Sequence, residues 1–147
     1  MEKRKMSSKA RILVVDAQGG GIGRQLVAGI KKAAPDIEVW AVGANHSAAL
    51  AMKKAGADET ATGENAVIVC SRKADIITGP IGIVLADSMM GEITPAMARA
   101  IGESEALRVL VPMNRCRTYI AGVQGGAVGD LVRDAIEKIL KILDETE

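Results

Sequence analysis

Residues 19–23, Gly-Gly-Gly-Ile-Gly, follow the apolar run Ile12-Leu13-Val14-Val15-Asp16 after Ala17-Gln18. Glycine adopts positive φ without steric cost and lets a backbone come close to a phosphate. A helix starting near Ile22 would aim its unpaired N–H groups and the positive end of its dipole into the same space. Gln18, Gly19, Gly20, Gly21, Ile22 and Gly23 are therefore candidate phosphate contacts. The other reading is a tight turn, in which the glycines only let helix and sheet pack closely.

The spacing narrows the choice. Gly21-Ile22-Gly23 resembles the phosphate loop of short-chain dehydrogenases, with Asp16 and Ala17 in place of its Thr and first Gly. The strict Gly-x-Gly-x-x-Gly spacing is absent, because Gln18 stands where its first Gly would be. Arg24-Gln25 after Gly23 excludes a P-loop. An NAD site usually has an acid at the end of the second strand to hold the ribose hydroxyls. Here Asn45, His46 and Ser47 stand there, which favours an NADP-like ligand or another nucleotide. The alternative for His46 is a polar group at a helix start. Thr78, Gly79 and Gly82 form a second possible anion nest.

Catalytic candidates are few. Asp87 and Glu92 are the carboxylates near the apolar segment 81–90. An Asp in such a run is costly unless paired or functional. Cys116 lies between Arg115 and Arg117, which could lower its pKa and make it a nucleophile, or it is simply exposed. Cys70 sits in an apolar stretch and reads as inert core. The only Tyr, Tyr119, has Val123 four residues on, where a short-chain dehydrogenase needs Lys. Ser88 lacks the flanking glycines of a hydrolase elbow.

The elements that would hold these residues alternate. Buried strands are expected at 12–16, 37–42 and 75–78, a brief one at 58–61, and another at 107–111. Helices are expected from Ile22 to Pro35, over 46–55, 63–73, 93–101 and 128–143, with 81–90 as a further buried helix. The run 66–70 could be a strand instead. Thr118 to Val123 is expected to pair antiparallel with 107–111 across the turn 113–117. This pattern predicts a three-layer Rossmann-like α/β domain over 11–147. Its sheet would be mostly parallel, with a C-terminal antiparallel pair and a long terminal helix. The segments 18–23, 43–47, 62–65, 78–82 and 114–116 would then share one edge, beyond the carboxyl ends of the strands, where such sheets bind ligands.

The chain has 147 residues, one domain's worth, with 48% hydrophobic and 25% charged residues. Aromatic residues make up 1%, which disfavours nucleic-acid and sugar platforms built on stacking. One His and two Cys leave little for a structural zinc or haem site. Lys3, Arg4, Lys5, Lys9 and Arg11 stand against Glu2, while the rest of the chain is mildly acidic. Residues 1–10 read as a disordered basic arm, not a nucleic-acid-binding face. The apolar run after it is too short for a signal peptide, and no window reaches a membrane span. The expected location is the cytoplasm, with reduced cysteines.

Several stretches together resemble a family of short bacterial proteins catalogued as domain of unknown function 3842. They include 16–23, 61–66, Asp75 to Gly82, Ala86 to Pro95 and Pro112-Met113-Asn114-Arg115-Cys116. The resemblance implies a Rossmann-like fold and brings no reaction. The residues themselves suggest a protein that binds a phosphate-containing nucleotide cofactor, NADP-like by preference, as a small oxidoreductase or accessory protein. A homodimer is expected, since a domain this small often lacks a complete substrate pocket. The alternatives are a non-catalytic nucleotide or anion sensor acting through a partner, and a hydrolase or transferase using Asp87, Glu92 or Cys116.

Overall fold

A computed structural model describes residues 10–112 and 117–145. Five strands form one parallel sheet: β1 (Arg11–Asp16), β2 (Glu38–Gly43), β3 (Glu59–Thr62), β4 (Ile76–Pro80) and β5 (Leu107–Val111). Their spatial order is β3-β2-β1-β4-β5. The chain therefore winds outward from β1 to β3 and then returns to lie on the other side of β1. The point where the direction reverses lies between β1 and β4. Loops leaving these two strands diverge there and open a crevice at their carboxyl ends.

Five α-helices cover the sheet: α1 (Gly21–Ala33), α2 (His46–Lys54), α3 (Glu64–Ser71), α4 (Pro95–Glu103) and α5 (Val128–Glu145). Alternate β1 residues feed opposite cores. Ile12 and Val14 pack with Leu26 and Ile30 of α1 and Val132 and Ile139 of α5. Leu13 and Val15 pack with Val67 of α3 and Met97 and Ile101 of α4. All four β1 residues are fully buried, which is why this strand reads as an unbroken apolar run. Together the layers make a Rossmann-like three-layer α/β fold.

The helix starts follow local chemistry. Thr94 caps α4 by accepting from the Met97 amide, and Pro95 takes the first turn. The Asn45 side chain caps α2 by accepting from the Ala48 amide at 2.9 Å. The 66–70 run belongs to α3, with Gly63 at its N-cap and Val67 and Ser71 on its buried side. Arg11, at the edge of the described chain, lies 3.8 Å from the centre of the Trp40 ring. Residues 1–9, most of the expected basic arm, lie outside the described residues, and Ala10 is buried.

Two expected elements are corrected. Residues 81–90 are not an α-helix: a single 3₁₀ turn, Ile81–Val84, is followed by a bend at Leu85 and turns over 86–90. The Ser88 hydroxyl donates to the Gly82 carbonyl at 2.5 Å, and the Asp87 amide donates to the Ile93 carbonyl at 2.8 Å. These bonds fold the segment back on itself, and Asp87, Met89, Met90 and Gly91 take positive φ. Residues 118–123 are not a strand either, so there is no C-terminal antiparallel pair among the described residues. The Val123 amide donates to the Ile120 carbonyl across Gly122, whose φ is 86°, and this turn replaces ladder bonding. Among the described residues β5 pairs only with β4, in parallel. Residues 113–116, most of the expected turn, lie outside the described residues.

Candidate functional site

The glycine loop is built around Asp16, the last residue of β1. The residue is 5% exposed, and its carboxylate accepts from the amides of Ala17 and Gly23, both at 2.7 Å. Those bonds fold the loop over the strand end and fix the first turn of α1. Gly23 permits the approach: a Cβ there would lie 2.9 Å from the Asp16 Cβ and 2.6 Å from the Met52 sulfur. Burial pushes the Asp16 carboxyl above its ordinary value. The backbone donors Gly23, Ala17 and Ile22 oppose this, and the neighbouring Glu92 charge adds to it.

Most amides of the loop are already used. Gly20 donates to Ala17, Arg24 to Gly20, and Gln18 to the Glu92 carboxylate, at 3.2 Å from each of its oxygens. Within 17–21, the Gly19 and Gly21 amides have no protein acceptor among the described residues. A Cβ at either glycine would meet nothing within 4 Å. Both residues line a cleft of about 730 Å³. Its remaining walls are the other loop residues, Gln25, Pro80 at the end of β4 and Gly82 just after it, the pair Met89–Met90, and Val128 at the start of α5. This is the crevice at the reversal of strand order.

Elements distant in sequence meet above Gln18. The Asn45 side-chain amide donates to the Gln18 carbonyl at 2.9 Å and also to Glu92. Glu92 thus ties the loop after β1 to the loop after β2, although it comes from the segment after β4. Gln18 itself holds a φ of 52°.

The expected site residues separate into groups. Gln18 to Ile22 and Gly82 line the cleft, while Gly23 is packed beneath the loop. Asn45 is bonded inward, and His46 and Ser47 are exposed at the start of α2. Thr78 is fully buried in β4 beside Val14, and its hydroxyl has no hydrogen-bond partner among the described residues. A Cβ on Gly79, whose φ is 155°, would lie 2.2 Å from the Val15 carbonyl oxygen, so this glycine serves the β1–β4 contact. Asp87 is exposed and lines a separate pocket with Ser88 and Arg117. Cys116, Asn114 and Arg115 lie outside the described residues. Burial raises the Cys70 thiol against smaller opposing effects of Lys73 and Arg11, in keeping with an unreactive side chain. Among the described residues no cluster of His, Cys, Asp or Glu could hold a metal ion, and no helix is long and apolar enough to cross a membrane.

Sequence reasoning missed Asp16, Met89, Met90 and Val128. An acid ending a buried strand just before a glycine loop is a signal for the first. The others depend on bends and a helix start that no local pattern announces.

From 11 to 144 the chain matches Domain of unknown function (DUF3842). The chain belongs to this family. No curated protein matches it. Among solved structures, the family member is similar to a dodecameric FMN-dependent Ubix-like decarboxylase from Escherichia coli O157:H7. That likeness has a TM-score of 0.49 and 17% identity over 91% of this chain and 93% of the other.

Proposed function

We propose that this DUF3842 protein binds a phosphate-containing nucleotide cofactor, with the phosphate on the loop 18–23. One observation carries the reading: the amides of Gly19 and Gly21, lacking acceptors, border an open cleft at the start of α1. Unpaired amides and the helix dipole both favour an anion there. The volume lies in the range of small-molecule sites. An accessory or oxidoreductase role would follow from the cofactor bound. The NADP-like form of the proposal draws on the lack of an acid after β2. Glu92 supplies a carboxylate to that region from another segment, which weighs against a 2′-phosphate beside Asn45. Exposed Tyr119, Val123 and Val128 line a second pocket that shares Val128 with the cleft, and they support the expected homodimer, which light scattering would test.

The test is a thermal-shift panel of NADP, NAD, FMN, FAD, ATP and coenzyme A. A ligand at about 100 times its Kd stabilises by about 2.7 kcal/mol, a shift of several degrees. Gly21→Val fills open space without an internal clash, so the variant should fold and lose that shift. Shifts of equal size in both proteins would place the ligand elsewhere.

A further inference from the structure

The cleft is lopsided. Its walls come from the glycine loop, the end of β4, Met89–Met90 and Val128, and none of residues 43–47 lines it. A dinucleotide on a sheet of this order crosses the glycine loop and lays its second nucleoside toward the end of the second strand. That crossing is filled here. Glu92 accepts from the Gln18 amide and from Asn45, and Asn45 also donates to the Gln18 carbonyl. A carboxylate and an amide side chain stand on the path, and the carboxylate would face any phosphate coming along it.

On the open side the wall is apolar. Ile22, Pro80, Met89, Met90 and Val128 border it, with no aromatic residue among them. Methionine sulfur makes favourable contacts with aromatic rings, and its flexible chain adapts to their outline. Met89 and Met90 have φ of 54° and 59°, and Met90 is 96% exposed. A left-handed conformation is unfavourable for such side chains and clusters where a ligand is clamped. Two methionines are thus held at the mouth of a cleft whose floor can take a phosphate.

We infer that the site takes a phosphorylated mononucleotide with a broad aromatic ring, and not a dinucleotide. Its phosphate sits on the Gly19 and Gly21 amides and its ring lies against Met89, Met90 and Val128. This inference rests on the reading of the glycine loop as a phosphate site. Glu92 and Asn45 act as a barrier that closes the route toward α2.

Binding of FMN, AMP, FAD and NADP to the full chain, measured by calorimetry, tests this. FMN and FAD share the ring and differ by the adenylate that must cross the barrier. FMN is expected to bind at least about tenfold tighter than FAD, and tighter than AMP or NADP. Glu92→Ala leaves the Asn45 side-chain oxygen free to cap α2 and should bring the FAD affinity within a few-fold of the FMN affinity of the same variant. Met89→Ala/Met90→Ala should weaken FMN several-fold, and Gly21→Val should abolish binding. FAD or NADP binding to the wild type as tightly as FMN would overturn the mononucleotide inference and leave the phosphate loop standing. AMP binding as tightly as FMN would overturn the broad ring. Failure of every probe, or binding indifferent to Gly21→Val, would overturn both readings.

Discussion

The loop after β1 and the segment after β4 border the same cleft and are made by opposite means. The first places glycines where the chain must come close, and anchors itself on the buried Asp16 carboxylate. The second forces Asp87, Met89 and Met90 into left-handed conformations and leaves Met90 almost wholly in solvent. Closeness is the constraint in one and presentation of side chains in the other. A glycine at 90 would relieve the backbone but leave nothing to offer a ligand.

The sharpest way to break this contrast is at the close contacts. Gly79→Ala puts a Cβ 2.2 Å from the Val15 carbonyl at positive φ and should cost about 3–5 kcal/mol in denaturant unfolding. Gly21→Ala, facing open space, should stay within about 0.5 kcal/mol of wild type. Equal losses at the two positions would erase the distinction between packing and cleft glycines. Asp16→Asn comes next, at about 1–3 kcal/mol, because an amide cannot accept from both Ala17 and Gly23.

Asp16 also sets a pH dependence. Its folded-state pKa is raised, so folding favours the protonated form. The favourable contribution is complete below the ordinary value of 3.8 and is lost as pH rises through the higher folded value. Urea titrations from pH 3.5 upward should show this decline in the wild type, and Asp16→Asn should lack that component. An unchanged slope in the variant would remove Asp16 as its source.

Smaller effects sharpen the other side. Asn45→Ala removes the α2 cap and should cost about 1 kcal/mol by thermal unfolding. Met90→Gly has the opposite sign: relief of the left-handed conformation should stabilise by up to about 1 kcal/mol. Destabilisation by that variant would mean that Met90 packs in the folded protein and is not held out for a ligand.

The layered fold was legible because β1, β2 and β4 are short β-branched runs bounded by glycines, and the helices between them carry apolar faces. Pro95 behind Thr94 marked the start of α4. The glycine loop was legible as a candidate for the same local reason. The Glu92 bridge was not, since its partner Gln18 lies 74 residues away and the contact exists only because α4 follows β4 beside β1. The 81–90 segment misled because its apolar content resembles a buried helix, whereas Ser88 and Asp87 bond back to Gly82 and Ile93. Residues 118–123 carried strand-like side chains, but Gly122 turned them.

The burial of β1 on both faces has a kinetic consequence. The strand that carries the cleft floor is locked between two cores, so a ligand of the proposed kind would find the floor already ordered and would lose little entropy in shaping it. The ordering that remains falls on the Met89–Met90 wall. Substitutions in that wall should therefore act on residence time, changing the dissociation rate far more than the association rate.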